Sequence, residues 1–145
     1  MKGYVPRYLM AGMLCTVTAV SVLGQAAKPA AKRVNKAQIA HGEYLVKGIA
    51  GCPDCHTPMN EKGELVPGQW LKGTKLTFGP LVKFPAWADT SPNIAGLEGW
   101  DTEKAIQLLM TGKDPSGHPP RPPMPEFRMN RADAAAVVAY LKSLK

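Results

Sequence analysis

The chain has 145 residues, with 18 lysines and arginines against 11 acidic residues and a net charge of +7. That length is enough for one compact domain and marginal for two. The basic residues are scattered singly instead of gathering on one face with aromatics between them, so the sequence argues against a nucleic-acid binder.

The N-terminus reads as an export signal. Lys2 and Arg7 precede the mostly apolar run YLMAGMLCTVTAVSVLG and then the small-residue stretch QAAKPAAK, which is the order of basic start, apolar middle and cleavable end. Cleavage is placed near Ala26 or Ala27, giving a signal over residues 1–26. An uncleaved membrane anchor is the competing reading, but the run is short of the roughly 20 apolar residues needed to cross a bilayer and is diluted by Thr16, Thr18 and Ser21. Leu14 stands before Cys15 where a lipoprotein signal would have a small residue, so Cys15 leaves with the signal. The mature chain then has 16 basic residues, a net charge of +5 and two cysteines. Export implies the periplasm, with membrane contact only if the first segment is retained, and there a Cys52–Cys55 disulfide competes with any cofactor role.

Residues 27–35, rich in alanine, lysine and proline, form a tether with nothing to bury. Asn35 is positioned as an N-cap, and Ile39, Val46 and Ile49 recur at helical spacing, which predicts a first helix from about Lys36 to about Gly48. The stretch from Thr57 to Trp100 is irregular and broken by glycines and prolines, with short extended pieces near Leu65 and Leu76. Asp101 caps a second helix, Thr102–Thr111, with Ala105, Ile106, Leu109 and Met110 on its apolar side and Gly112 as its stop. Five prolines between Pro119 and Pro125 exclude a helix there. Asn130 with Asp133 opens a third helix to the C-terminus, with Ala134, Val137, Tyr140, Leu141 and Leu144 as its stripe. The fold class is therefore all-α: three main helices in one domain, residues 36–145, around a long loop-rich middle.

Chemistry concentrates in the segment GCPDCHTPM. Cys52, Cys55 and His56 form C-x-x-C-H, the attachment sequence for a c-type haem. Each thiol can form a thioether at one porphyrin vinyl group, and His56 follows as the proximal iron ligand. A structural zinc site would need four ligands, yet His41 and His118 stand isolated. A thioredoxin-like pair would need a strand–helix–strand context that this chain lacks. One covalently bound haem also explains the long middle: buried among loops, its flat apolar surface would contribute about 25 cal/mol per Å². Leu65, Trp70, Leu71, Leu76, Phe78, Phe84, Trp87, Ile94 and Leu97 are candidate pocket walls, each with ordinary core packing as the competing role.

The second axial position of the iron has several contenders. Met1, Met10 and Met13 depart with the signal. Met59 is too near His56 to pass around the ring edge, and Met110 belongs to a helix core. Met124, in the proline-stiffened RPPMPEF, is the preferred ligand, with Met129 and His118 as alternatives. Thioether ligation favours the ferrous state and closes the iron to oxygen. It points to electron transfer, not to an enzyme.

The order of these features resembles the class I c-type cytochromes: a first helix, C-x-x-C-H, a Gly- and Pro-rich middle, a methionine loop and a final helix ending AVVAYLKSL. TSPNIAGLEGW, LMTGKDPSG and PPMPEFRMN look like the cytochrome c domains that serve bacterial periplasmic dehydrogenases. The resemblance implies a crossing of first and last helices at Gly42 and Val46 against Tyr140 and Leu141. It also implies that the Pro92 carbonyl, or a neighbour, accepts from the His56 ring, and that Asn93 hydrogen-bonds nearby or to a haem propionate. It implies a monohaem electron carrier of a respiratory chain, or the cytochrome subunit of an oxidoreductase. Its partners would be a dehydrogenase, an oxidase or another cytochrome, with Lys62, Lys72, Lys75 and Lys83 as candidate steering charges. The alternative is a haem enzyme or gas sensor with an open or displaceable sixth site, in which Met124 only lines the pocket.

Overall fold

The computed structural model describes residues 36–144. The expected signal, the tether and the Asn35 cap lie outside the described residues. The first helix, α1 (Lys36–Tyr44), runs without interruption into a wider turn, Leu45–Ile49. Ala50 N–H closes that turn by donating to the carbonyl of Leu45 at 2.8 Å, a bond five residues long. Helical structure thus continues one residue past the expected Gly48, and Leu45 and Val46 are both buried.

Gly51 then reverses the chain in a left-handed conformation and starts α2 (Cys52–His56). The sequence pattern did not distinguish this single turn as a helix. Pro53 is compatible with it because a first-turn proline surrenders an N–H that has no intrahelical partner anyway.

The middle of the chain is not wholly irregular. Strands β1 (Thr74–Lys75) and β2 (Thr90–Ser91) pair antiparallel, with Thr74 opposite Ser91 and Lys75 opposite Thr90. Met59 and Leu65 form an isolated antiparallel bridge. The described fold is therefore helix-rich with a small sheet, which corrects the all-α expectation. Strand pairs of two residues have too little periodicity to be read in a sequence; they form here because the chain after α2 doubles back beside itself.

Helix α3 (Thr102–Thr111) begins where Asp101 Oδ1 accepts from Lys104 N–H at 3.0 Å and ends at Gly112 in a left-handed conformation. Helix α4 (Arg131–Ser143) begins where Asn130 Oδ1 accepts from Asp133 N–H at 3.0 Å. Both caps satisfy an N–H that a helix start would leave without a partner. The expected stripe on α4 proves too narrow, because every residue from Ala136 to Leu141 is buried. The reason is position: α4 packs against both α1 and α3, and Val137, Val138 and Leu141 also face a cavity.

The crossing of α1 and α4 depends on Gly42. A Cβ at that position would fall 1.9 Å from the carbonyl oxygen of Ala136 and 2.9 Å from Cβ of Tyr140. No side chain fits between the two backbones, so the glycine sets their separation. Val46, fully buried, joins Tyr140 and Leu141 in the same core cluster. Near one end of the crossing, Trp70 Nε1–H donates to the Tyr140 hydroxyl at 3.0 Å, anchoring the middle segment to α4.

Candidate functional site

A cavity of about 510 Å³ opens between α2, α3, α4 and the two long loops. Cys52, Cys55 and His56 line one wall, and Pro92, Asn93 and Ile94 continue it. Leu108 and Leu109 of α3 and Val137, Val138 and Leu141 of α4 form an apolar floor, while Pro123, Met124 and Phe127 face inward from the proline-rich loop. Cofactor pockets occupy roughly 300–1,000 Å³ and are mostly apolar with a few placed polar groups. This cavity has both properties.

The α2 turn places three functional side chains together because a single helical turn spans Cys52 to His56. Its C-terminal end is tied down on several sides. Gly73 N–H donates to the His56 carbonyl at 2.8 Å, Ser91 Oγ–H donates to the Cys55 carbonyl, and Leu71 N–H donates to Thr57 Oγ1 at 3.0 Å. Gly73 lies so close to the next segment that a Cβ on it would meet Ser91 O at 2.6 Å and Asn93 N at 2.7 Å. Its φ of +81° is also one that L side chains rarely adopt.

His56 is 8% exposed. Its Nδ1 is 2.9 Å from the carbonyl oxygen of Pro92. A carbonyl can only accept, so Nδ1 carries the hydrogen and Nε2 is left with its lone pair as the free ligating atom. Burial pushes the imidazole below its ordinary pKa, and the bond to Pro92 partly opposes that. A neutral, oriented ring with one nitrogen available is what a metal-ligating histidine requires.

Asn93 lines the same cavity, and its Oδ1 accepts from Ala95 N–H at 2.9 Å. Ile94 and Ala95 N–H groups both donate to the Leu71 carbonyl. The Pro92 carbonyl is therefore held by a turn that is fastened on its far side to a fully buried residue.

Burial raises the pKa of both thiols, that of Cys52 to about 11, with Asp54 and the neighbouring thiol adding to the effect there. The two are not joined to each other. Reactive C-x-x-C pairs depend on lowered thiol pKa values, so this environment does not suit a dithiol redox centre. It suits two thiols presented to an apolar ligand.

Met124 lines the same cavity, within a turn in which its own N–H donates to the Arg121 carbonyl at 3.2 Å. The competing candidates sit elsewhere. Met129 packs against the core cluster while its N–H donates to the Leu109 carbonyl at 3.0 Å. His118 is exposed beside Asp114, and Met59 is exposed. Of the proposed wall residues, Leu76, Ile94 and Leu97 line the cavity. Leu71 is core, Trp70 bonds Tyr140, and Leu65, Phe78 and Phe84 are exposed. Trp87 meets Phe78 edge to face at 6.0 Å. The floor residues from α3 and α4 were missed as walls because their spacing already accounted for them as helix core, and a helix face serves either purpose.

Among the described residues there is no cluster of three His, Cys, Asp or Glu suited to a metal, and no helix long and apolar enough to cross a membrane. Two thiols, an imidazole and a thioether line one mostly apolar cavity, and that donor set fits a covalently held haem. The family model for cytochrome c matches residues 39–145. A diheme cytochrome c-type protein of Cereibacter sphaeroides is 32% identical over 107 residues, covering 70% of this chain and 33% of that protein. The fructose dehydrogenase cytochrome subunit of Gluconobacter japonicus is 30% identical over 115 residues, covering 71% of this chain and 21% of that subunit. The chain thus spans a third or less of the length of these relatives.

Proposed function

The chain belongs to the cytochrome c family, and on that premise we propose that it is a monohaem electron carrier or electron-transfer subunit of the periplasm, with His56 and Met124 as the residues that would ligate the haem iron. Membership implies covalently bound haem c at Cys52 and Cys55, and an electron-transfer role without catalysis of its own. The observation that carries the finer reading is that His56 and Met124 line one and the same cavity, whose lining is mostly apolar.

Bound haem supplies a one-electron couple between ferrous and ferric iron. The chain's own residues set the conditions. Cys52 and Cys55 would fasten the group to α2 through thioethers, so that it would not dissociate between electron transfers. The Pro92 carbonyl holds the His56 ring in one tautomer and orientation. Met124 would supply a thioether that favours the ferrous state, and the apolar floor from α3 and α4 would limit water at the site. Pro92 and Asn93 belong to the cofactor-binding set in this reading.

One relative is named as the cytochrome subunit of a dehydrogenase, which supports a redox protein, a dehydrogenase above all, as the partner here. Lys62, Lys72, Lys75 and Lys83 are all exposed and available to steer an acidic partner. Residues 1–26 serve as the export signal in this reading.

Carbon monoxide tests the closed site. The ferrous spectrum of the purified protein is unchanged by the gas at neutral pH if Met124 holds the sixth position. Prompt binding would replace this reading with that of an open-site sensor or haem enzyme. Mass spectrometry of the exported chain, showing one haem added to the peptide that carries Cys52 and Cys55, checks the count.

A further inference from the structure

The segment that carries Met124 has an unusual difficulty. Between Pro119 and Pro125 only Arg121 and Met124 are not proline, so five of seven residues have no N–H with which to join a neighbouring strand or turn. Of the two that remain, the Met124 N–H is used within the segment, on the Arg121 carbonyl. Proline stiffens the backbone but does not attach it to anything. The attachment is made from Arg121. Its Nε–H donates to the Ala86 carbonyl at 3.1 Å, and its Nη2 donates to the carbonyl of Trp87. In return, Ala88 N–H donates to the Pro122 carbonyl at 2.7 Å. Ala88, Arg121, Pro123 and Met124 all line the cavity, so these bonds join the loop between β1 and β2 to the methionine segment along the cavity's rim.

We propose that Arg121 is the positioning residue for the axial methionine: its guanidinium clasps the carbonyls of Ala86 and Trp87 and thereby keeps the Met124 turn seated over the cavity. The inference rests on Met124 being a ligand, as proposed above. Two adjacent carbonyls approached by two nitrogens of one planar fork are a geometry that arginine satisfies and lysine, a point donor on a flexible stem, does not. Arg121 does not ligate the iron in this account. It restricts how often the Met124 sulfur leaves it.

The experiment compares Arg121→Ala, Arg121→Lys and Met124→Ala holoproteins with the wild type. The readouts are the rate of cyanide binding to ferric iron, the sulfur-to-iron charge-transfer absorption, and thermal unfolding. Cyanide enters only when the methionine has moved away, so its rate reports that opening. Arg121→Ala is expected to bind cyanide about tenfold faster, the population change that the loss of one net charge-assisted bond would bring, while its charge-transfer band persists. Arg121→Lys is expected to resemble Arg121→Ala, because it restores the charge without the fork.

A lysine variant with the wild-type cyanide rate would overturn the proposal in favour of a purely electrostatic role for Arg121. So would an alanine variant that unfolds at lower temperature yet binds cyanide at the wild-type rate. If Arg121→Ala does not assemble, the lysine variant decides alone. Met124→Ala separates the two layers: loss of its charge-transfer band upholds the ligand assignment whatever Arg121 does, and an unchanged band removes the assignment and this inference with it.

Discussion

The segments that bring His56 and Met124 into the cavity lining are held in opposite ways. On the His56 side the backbone does the holding: the carbonyls of Cys55 and His56, the side chain of Thr57 and the ring of His56 are each engaged by a different residue from the middle segment. On the Met124 side a proline run removes most backbone donors, and the ties to the loop between β1 and β2 are one amide bond from Ala88 and the Arg121 guanidinium. Bonds from four different residues of the middle segment join the His56 turn to it as one network. The Met124 segment is stiff along its own length and joined at few points. The difference is that the His56 turn is tied into the middle segment at several points, whereas the Met124 turn, in the reading proposed above, depends on a contact that can be weakened without unfolding the domain.

Removing a proximal group should have the largest effect. His56→Ala is expected to prevent a stable low-spin holoprotein altogether, checked by the visible spectrum and haem content of the exported chain, and normal yield would break the distinction between the two segments. Gly42→Ala should come next. Its Cβ has no room against the Ala136 backbone, so the α1–α4 crossing must open, at a cost of about 3 kcal/mol, measured by chemical denaturation of the holoprotein.

Gly73→Ala, strained by its φ and its contacts with Ser91 and Asn93, should displace the turn that presents the Pro92 carbonyl. It is expected to lower both unfolding temperature and reduction potential, because the His56 ring loses its orientation. Met124→Ala should leave the fold nearly intact, lower the potential and let carbon monoxide bind. That contrast between ligand loss and fold loss sharpens the comparison most. Asn130→Ala, outside the cavity lining, removes a cap worth about 1 kcal/mol, and should lower denaturation stability with no change in potential.

Much of the helical frame was legible because helix starts and stops have local causes. Asp101 and Asn130 cap helices where their side chains alone suggested it, and Gly112 ends α3. C-x-x-C-H was legible for the same reason: three functional groups on one turn need no tertiary information to be seen together. The small sheet and the α2 turn were not legible, since two paired residues or a single turn leave no periodic trace.

What the sequence by itself determined was the C-x-x-C-H motif, the candidate ligating residue types and the main helices, since each depends on neighbours within a few positions. What only the tertiary structure decided was which residues wall the cavity, that Met124 faces it while Met129 packs into the core, and that Arg121 bridges two loops about thirty-five residues apart. Those outcomes depend on contacts between distant segments, and a contact leaves no local pattern when either side chain could equally have served as core or surface.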